Sequence, residues 1–290
     1  MTTHTGDNWT LYHGDCIPHM AEAMDPDSVD MSVYSPPFPS LYAYSDDPAD
    51  IGNVDTIDNP EAGIHLSFFF RALLRVMKPG RVSICHVAQI PRMKRSGGSG
   101  MCDFRGMVIR LAERAGWVYE YDWAVRKNPQ AQAIRTRSRE LQFAGLESDR
   151  AKSRGCIHDY LIKLRKPGDN AVPIDSPGQV SRNQWIAWAE GTWSDIKETD
   201  TLNTAAAKSD SDVRHICPLQ LTVINRCVRL FSNPGELVFS PFTGIGSEGH
   251  EALRLHRAFY GCETKPEYVH AAIDNLTKAN RPQEAVPTLF

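Results

Sequence analysis

The strongest limit on the fold is the alternation of short apolar runs with amphipathic helical patterns at both ends of the chain. Residues 237–240 (LVFS) pass through a glycine-bearing turn into a helical pattern at 247–256, and residues 258–263 (AFYGCE) lead into another at 266–279. Toward the N-terminus, residues 9–15 and 29–35 read as strands, residues 64–80 as a helix closed by Pro79-Gly80, and residues 81–87 as a buried strand. This order predicts an α/β fold with a mostly parallel sheet and helices on its faces. A helix over 103–117 and strands over 119–127 and 158–166 continue the pattern, with an arginine-rich loop between the two strands. From 167 to about 212 the periodicity stops. Pro, Gly, Ser, Asn and Asp dominate there, broken by Trp185, Trp188 and Trp193, so the segment reads as an insert with little regular structure. The tryptophans suit either its small core or a surface that it presents. Helical periodicity resumes over 218–236, and 290 residues are enough for one large domain with such an insertion.

Two strand ends carry polar chemistry. The run at 29–35 stops at Ser35-Pro36-Pro37-Phe38. Proline cannot donate to a ladder, and two in succession fix the direction of the Pro36 carbonyl beside the Ser35 hydroxyl. A plain Pro-Pro turn capping a strand has the same residues. The second end is Ser240-Pro241-Phe242-Thr243-Gly244-Ile245-Gly246. Gly244 and Gly246 permit a close backbone approach to a ligand, and Glu263 closes the next strand, where a carboxylate can accept hydrogen bonds from both ribose hydroxyls. A third glycine is missing, and no Lys-Ser/Thr pair follows. The expected ligand therefore has a ribose but no pyrophosphate, a description that S-adenosylmethionine meets; an ordinary βα turn is the alternative.

The formal charge is −3, but it is unevenly spread. Residues 92–168 hold 17 Lys+Arg against 8 Asp+Glu, a net +9, which leaves −12 for the remainder. A basic middle in an acidic chain suits a face that meets a polyanion, or simply a solvated surface. Seven cysteines without a CxxC pair read as thiols in a reducing cytoplasm, and no Cys/His spacing suggests a metal. No apolar run is long enough for a membrane span, and the first 16 residues lack the profile of a signal peptide.

Together, Ser35-Pro36-Pro37-Phe38 and Phe242-Thr243-Gly244-Ile245-Gly246 resemble the two motifs of the DNA amino-methyltransferases, which methylate the exocyclic nitrogen of cytosine or adenine. The tetrapeptide precedes the cofactor turn with the insert between them, which resembles the permuted beta arrangement. The resemblance covers nearly all of the chain outside 167–212. It implies a Rossmann-like S-adenosylmethionine-dependent methyltransferase sheet with a catalytic half over 1–166, a target-recognition insert over 167–212 and a cofactor half over 213–290. It also implies double-stranded DNA as partner and base flipping, with Ser35 and Pro36 drawing out the amino lone pair, Pro37 rigidifying the corner and Phe38 stacking on the flipped base. Asp15, Pro218, Leu219, Ser240, Phe242, Thr243, Gly244, Gly246 and Glu263 would bind the cofactor, with His215 either near its carboxylate or structural. Arg92, Lys94, Arg95, Arg135, Arg137 and Arg139 would hold phosphates. Serine at the first tetrapeptide position resembles the N4-cytosine enzymes, with N6-adenine as the alternative. An RNA or protein amino-methyltransferase, and a degenerate DNA-binding relative, stand as further alternatives. Two departures bear on the last: Ser240 stands where the family usually has Asp, and Ser247-Glu248 where it has Thr-Thr or Ser-Thr. The resemblance leaves open a cognate restriction endonuclease, a solitary or phage-borne setting, and a homodimer.

Overall fold

The computed structural model describes residues 2–38, 60–92, 100–136, 141, 143–174, 178–203 and 218–280. The first part of the chain forms β1 (Thr2–Gly6), β2 (Trp9–His13), α1 (Cys16–Pro18) continued by a π-helical turn, β3 (Val29–Tyr34), α2 (Pro60–Val76) and β4 (Met77–Ala88). The middle forms β5 (Ile90–Pro91), β6 (Met101–Cys102), α3 (Phe104–Ala115), β7 (Val118–Val125), α4 (Pro129–Thr136), α5 (Phe143–Leu146) and β8 (Asp159–Arg165). The last part forms α6 (Arg182–Trp188), β9 (Thr192–Trp193), α7 (Leu221–Phe231), β10 (Leu237–Ser240), α8 (Ser247–Arg254), β11 (Ala258–Glu263) and α9 (Pro266–Ala279).

Among the described residues one large sheet has the order β1-β2-β11-β10-β3-β4-β8-β7-β9. From β2 to β4 the neighbours are parallel; β8 is antiparallel to both β4 and β7. Every residue of β3 is buried, as expected of a central strand covered on both faces. One core lies under α2 and α3, with Phe69, Phe70, Leu73, Phe104 and Val108. The other lies under α7, α8 and α9, with Val223, Ile224, Ala252, Val269 and Leu276. Capping explains where several helices begin and end. Asp103 accepts the Gly106 N–H at the start of α3, and Gly116, with φ of 106°, closes it in the left-handed region. Pro266 opens α9 at a position where its missing N–H costs nothing.

The structure differs from the sequence expectation in three places. The helix expected through residue 80 stops at Val76, because Met77 already pairs with Val29 in the sheet and Lys78 reaches Asp30 at 2.6 Å. The N-terminal β1 reads as polar (TTHTG) and forms only as an edge strand paired with β2. The segment after 167 contains α6, held by a reciprocal Ser181–Gln184 capping box, and β9, which adds a strand beside β7. Trp188 and Trp193 enter the second core, where Arg226 of α7 lies over both rings, while Trp185 is exposed.

Candidate active site

In an open parallel sheet, ligands settle at the carboxyl ends of the strands where the order reverses. Here that point lies between β10 and β3: the chain leaves β10 through α8 toward β11, and β3 pairs with β4 on its other side. Both motifs project from it. Ser35-Pro36-Pro37-Phe38 follows β3, and Pro241-Phe242-Thr243-Gly244 follows β10. The Phe242 ring lies 6.0 Å from Tyr34, the residue before Ser35, and 5.0 Å from Phe69. Motifs more than 200 residues apart in sequence thus become neighbours.

The turn after β10 is tied down from beneath. Thr243 N–H donates to the Cys262 carbonyl at 2.9 Å, and its hydroxyl donates to the Ser240 carbonyl at 3.1 Å. Gly244 N–H donates to Glu263 Oε2 at 2.8 Å, and Glu263 Oε1 accepts from Thr264 and Lys265 N–H, both at 2.9 Å. Three backbone donors thus use most of the carboxylate's acceptor positions and leave room on Oε2 for about one ligand hydroxyl. Burial pushes the Glu263 carboxyl up to about 7, against the opposing pull of those N–H groups. Gly244 and Gly246 both have positive φ, 54° and 89°. Among the described residues, a Cβ on Gly244 would meet nothing within 4 Å, whereas one on Gly246 would press on Ala272 of α9 at 3.2 Å. Space for a ligand therefore opens above Gly244, and Gly246 packs the turn against the fold.

The Ser240 and Ser247 hydroxyls are buried and have no hydrogen-bond partner among the described residues. Glu248 is also buried, at 4 % exposure, and burial pushes its carboxyl up to about 8. Asp15 ends the β2 edge of the site as the N-cap of α1, accepting from Ile17 N–H at 2.8 Å. Gly14 N–H donates to the Glu263 carbonyl at 2.9 Å, which aligns the ends of β2 and β11. Leu219 is buried and Pro218 half-buried just before α7.

On the other side of the switch point, Ser35 is half-buried and Pro36 buried. Ser35 Oγ lies 3.1 Å from His86 Nδ1 and 3.3 Å from the His86 carbonyl oxygen. His86 Nε2 lies 2.9 Å from Asp159 Oδ2, off the axis of a straight hydrogen bond, and Lys127 Nζ reaches the same oxygen at 2.6 Å. Burial raises the Asp159 carboxyl, but the His86 ring and the Lys127 ammonium outweigh it and hold the group below its usual range. Sequence reading missed these three residues. The available signal was a lone histidine inside the apolar run SICHVA, whose partners come from β8 and the end of β7. The Phe38 ring packs against Phe104 with centroids 5.5 Å apart, so part of the face expected to hold a base touches the first core.

Of the expected phosphate contacts, Arg92 is exposed at the end of the β5–β6 pair, and its N–H donates to the Gly100 carbonyl. Lys94, Arg95, Arg137, Arg139 and His215 lie outside the described residues, as does the side chain of Arg135 in α4. Several cations of the basic middle are committed internally: Arg105 to Asp122, Lys163 and Arg165 to Glu120, Lys127 to Asp159.

A DNA methylase family model, covering N6 and N4 enzymes, matches residues 29–274 of the chain. The chain belongs to this DNA methylase family. Over 58 residues it is 41% identical to the type II methyltransferase M1.MboII of Moraxella bovis, a match covering 20% of this chain and 22% of that protein. Over 119 residues it is 27% identical to the type II methyltransferase M.BglI of Bacillus subtilis, covering 41% of this chain and 30% of that protein. These matches span under a third of either relative. Among solved structures, the cytosine-N4-specific PvuII DNA methyltransferase superposes with a TM-score of 0.67 at 18% identity, covering 95% of this methylase-family chain and 92% of that one. The Thermus thermophilus protein TTHA0409, provisionally named a DNA modification methylase and solved with S-adenosyl-L-methionine, superposes with a TM-score of 0.65 at 20% identity over 93% and 95% of the two chains. At such identities the likeness establishes a shared fold.

Proposed function

We propose that this chain transfers a methyl group from S-adenosylmethionine to the exocyclic N4 of cytosine in duplex DNA. The observation that carries the reading is the Ser35 hydroxyl at the end of β3, beside the cofactor turn and with its own proton directed into the protein by His86. An aromatic amine is a poor nucleophile because its lone pair is conjugated with the ring. Acceptors aimed at its N–H groups pull that pair out of conjugation, and Ser35 Oγ and the Pro36 carbonyl are the acceptors available at this corner.

The site fits the cofactor on this structure's own terms. Among the described residues, space opens above Gly244, Glu263 keeps an acceptor position for ribose, and the buried Ser240 and Ser247 hydroxyls have no partner. Asp15 would take the adenine amino group, and Thr243 with Pro218 and Leu219 would border the pocket. When bound, S-adenosylmethionine supplies an electrophilic methyl: the amine lone pair forms the N–C bond as the C–S bond breaks with its electrons to sulfur. The 167–212 segment is assigned to target recognition, and Arg92 with the neighbouring basic residues to phosphates.

The test is to incubate the protein with unmethylated genomic DNA and methyl-labelled S-adenosylmethionine, digest to nucleosides and identify them by mass spectrometry. Labelled N4-methyldeoxycytidine is expected. Labelled N6-methyldeoxyadenosine would overturn the base assignment, and label in neither nucleoside would overturn DNA as the substrate.

A further inference from the structure

Behind the tetrapeptide, a chain of polar groups runs from Ser35 to His86 to Asp159 and Lys127, crossing β3, β4, β8 and the end of β7. We infer that His86, held by Asp159, is a positioning residue that sets the Ser35 hydroxyl and takes up its proton during transfer. The inference rests on the proposed amino-methyltransferase reading.

A hydroxyl that accepts from a target amine must aim its single proton elsewhere. Ser35 has two acceptors for it, His86 Nδ1 at 3.1 Å and the His86 carbonyl at 3.3 Å. Asp159 stays ionised beside Lys127, and its oxygen 2.9 Å from His86 Nε2, off the axis of a straight hydrogen bond, favours the tautomer with the ring proton on that side; in that tautomer Nδ1 is the acceptor that faces Ser35. The Ser35 proton then points at Nδ1, and the oxygen's lone pairs face the amine.

Once methylated, the target nitrogen must lose one proton. It passes to Ser35 Oγ while the serine's own proton crosses to Nδ1. The ring becomes an imidazolium beside the Asp159 carboxylate, and Nδ1–H now donates back to Ser35. The new Ser35 proton swings to the His86 carbonyl, which explains why both acceptors lie within reach. Solvent later removes the ring proton, so the step needs no further reactant. His86 and Asp159 side chains are 12% and 10% exposed and Lys127 11%, so the relay sits where such contacts are little screened.

The test compares wild type with His86→Gln, Asp159→Asn, Ser35→Ala and the Ser35→Ala/His86→Gln double variant. Single-turnover methyl transfer is read alongside S-adenosylmethionine binding by calorimetry. His86→Gln is expected to slow transfer about 10²-fold, within the usual range for positioned acid–base groups, at unchanged cofactor affinity. The isosteric Asp159→Asn should slow it about tenfold, and it decides the matter if His86→Gln fails to fold. In the Ser35→Ala background the His86 change should cost almost nothing, because His86 acts through Ser35. Equal losses in both backgrounds, or a full rate in His86→Gln, would overturn the inference. Histidine nitrogen NMR shifts give a readout independent of turnover: the Nε2–H tautomer is expected, and an Nδ1–H tautomer refutes the relay even if the substrate assignment also fails.

Discussion

At the scale of single residues, this site depends on burial of groups that ordinarily prefer water. Ser35→Ala removes the one side-chain acceptor of the tetrapeptide. It should lower methyl transfer by two to three orders of magnitude, roughly the cost of losing an oriented polar group in a reaction centre, while cofactor binding measured by calorimetry stays within a factor of two. Glu248 gives a separate, pH-dependent prediction. Its carboxyl is pushed up to about 8 by burial, opposed by its own backbone N–H and reinforced by the Glu263 charge, from an ordinary 4.5. The folded protein therefore holds this proton after the unfolded chain has released it. Stability falls as pH rises from about 4.5 to about 8, then levels off. Glu248→Gln should remove its share of that slope, leaving the share of Glu263, and stabilise the protein at pH 8 by up to about 5 kcal/mol, since each tenfold in proton affinity is worth about 1.4 kcal/mol. Urea titrations at pH 5 and pH 8 measure the difference; an unchanged slope in the variant would exclude Glu248 as its source.

At the scale of elements, the turn between β10 and α8 separates two glycine roles that a motif treats alike. Gly246 has φ of 89° and its would-be Cβ lies 3.2 Å from the Ala272 backbone, so Gly246→Ala should cost about 2 kcal/mol of stability and move α8 against α9. Gly244 has φ of 54° and no described residue within 4 Å of a would-be Cβ, so Gly244→Ala should cost only about 1 kcal/mol. Its methyl group would stand in the ligand's space, however, and cofactor affinity should fall at least about tenfold. Thermal denaturation and calorimetry on both variants check the contrast, and a Gly244→Ala protein that binds normally would refute the placement of the ligand above the turn.

At the scale of the whole molecule, the two ends of the sheet do different work. The carboxyl end holds the candidate site. The amino end holds a buried ionic lock: Arg81, 1% exposed, bridges Glu236 at 3.0 and 2.5 Å. Asp30 receives Lys78 at 2.6 Å and Leu237 N–H at 3.0 Å. These contacts bind β3, β4 and β10 together on the far side from the chemistry. Arg81→Ala leaves the largely buried Glu236 carboxylate without its guanidinium and, among the described residues, with only the Asn233 donors, and should cost about 3 kcal/mol in denaturant titrations, with methyl transfer near wild type at low temperature. A rate loss matching that of Ser35→Ala would show that the two ends are coupled.

Much of this protein was legible before folding. Local patterning marked β3, β10, β11 and the α8 and α9 helices, because each carries its period and its stop signal within a short stretch. The motif residues Ser35, Phe242, Gly244 and Glu263 stood out because prolines and glycines interrupt apolar runs there. The Ser35–His86–Asp159–Lys127 chain was not legible, because its members lie 51, 73 and 32 residues apart along the sequence and meet only through strand pairing. The two short elements of the insert were not legible for a similar reason, although a core role was one of the two readings of its tryptophans. Trp188 and Trp193 have no periodicity of their own, and what orders them is the surface of α7 and the open edge of β7. Residue order alone marks which strand ends carry polar corners, since backbone chemistry is local. Which corners face each other, and which buried groups stand behind them, emerges only on folding, since side-chain contact is set by sheet order and register.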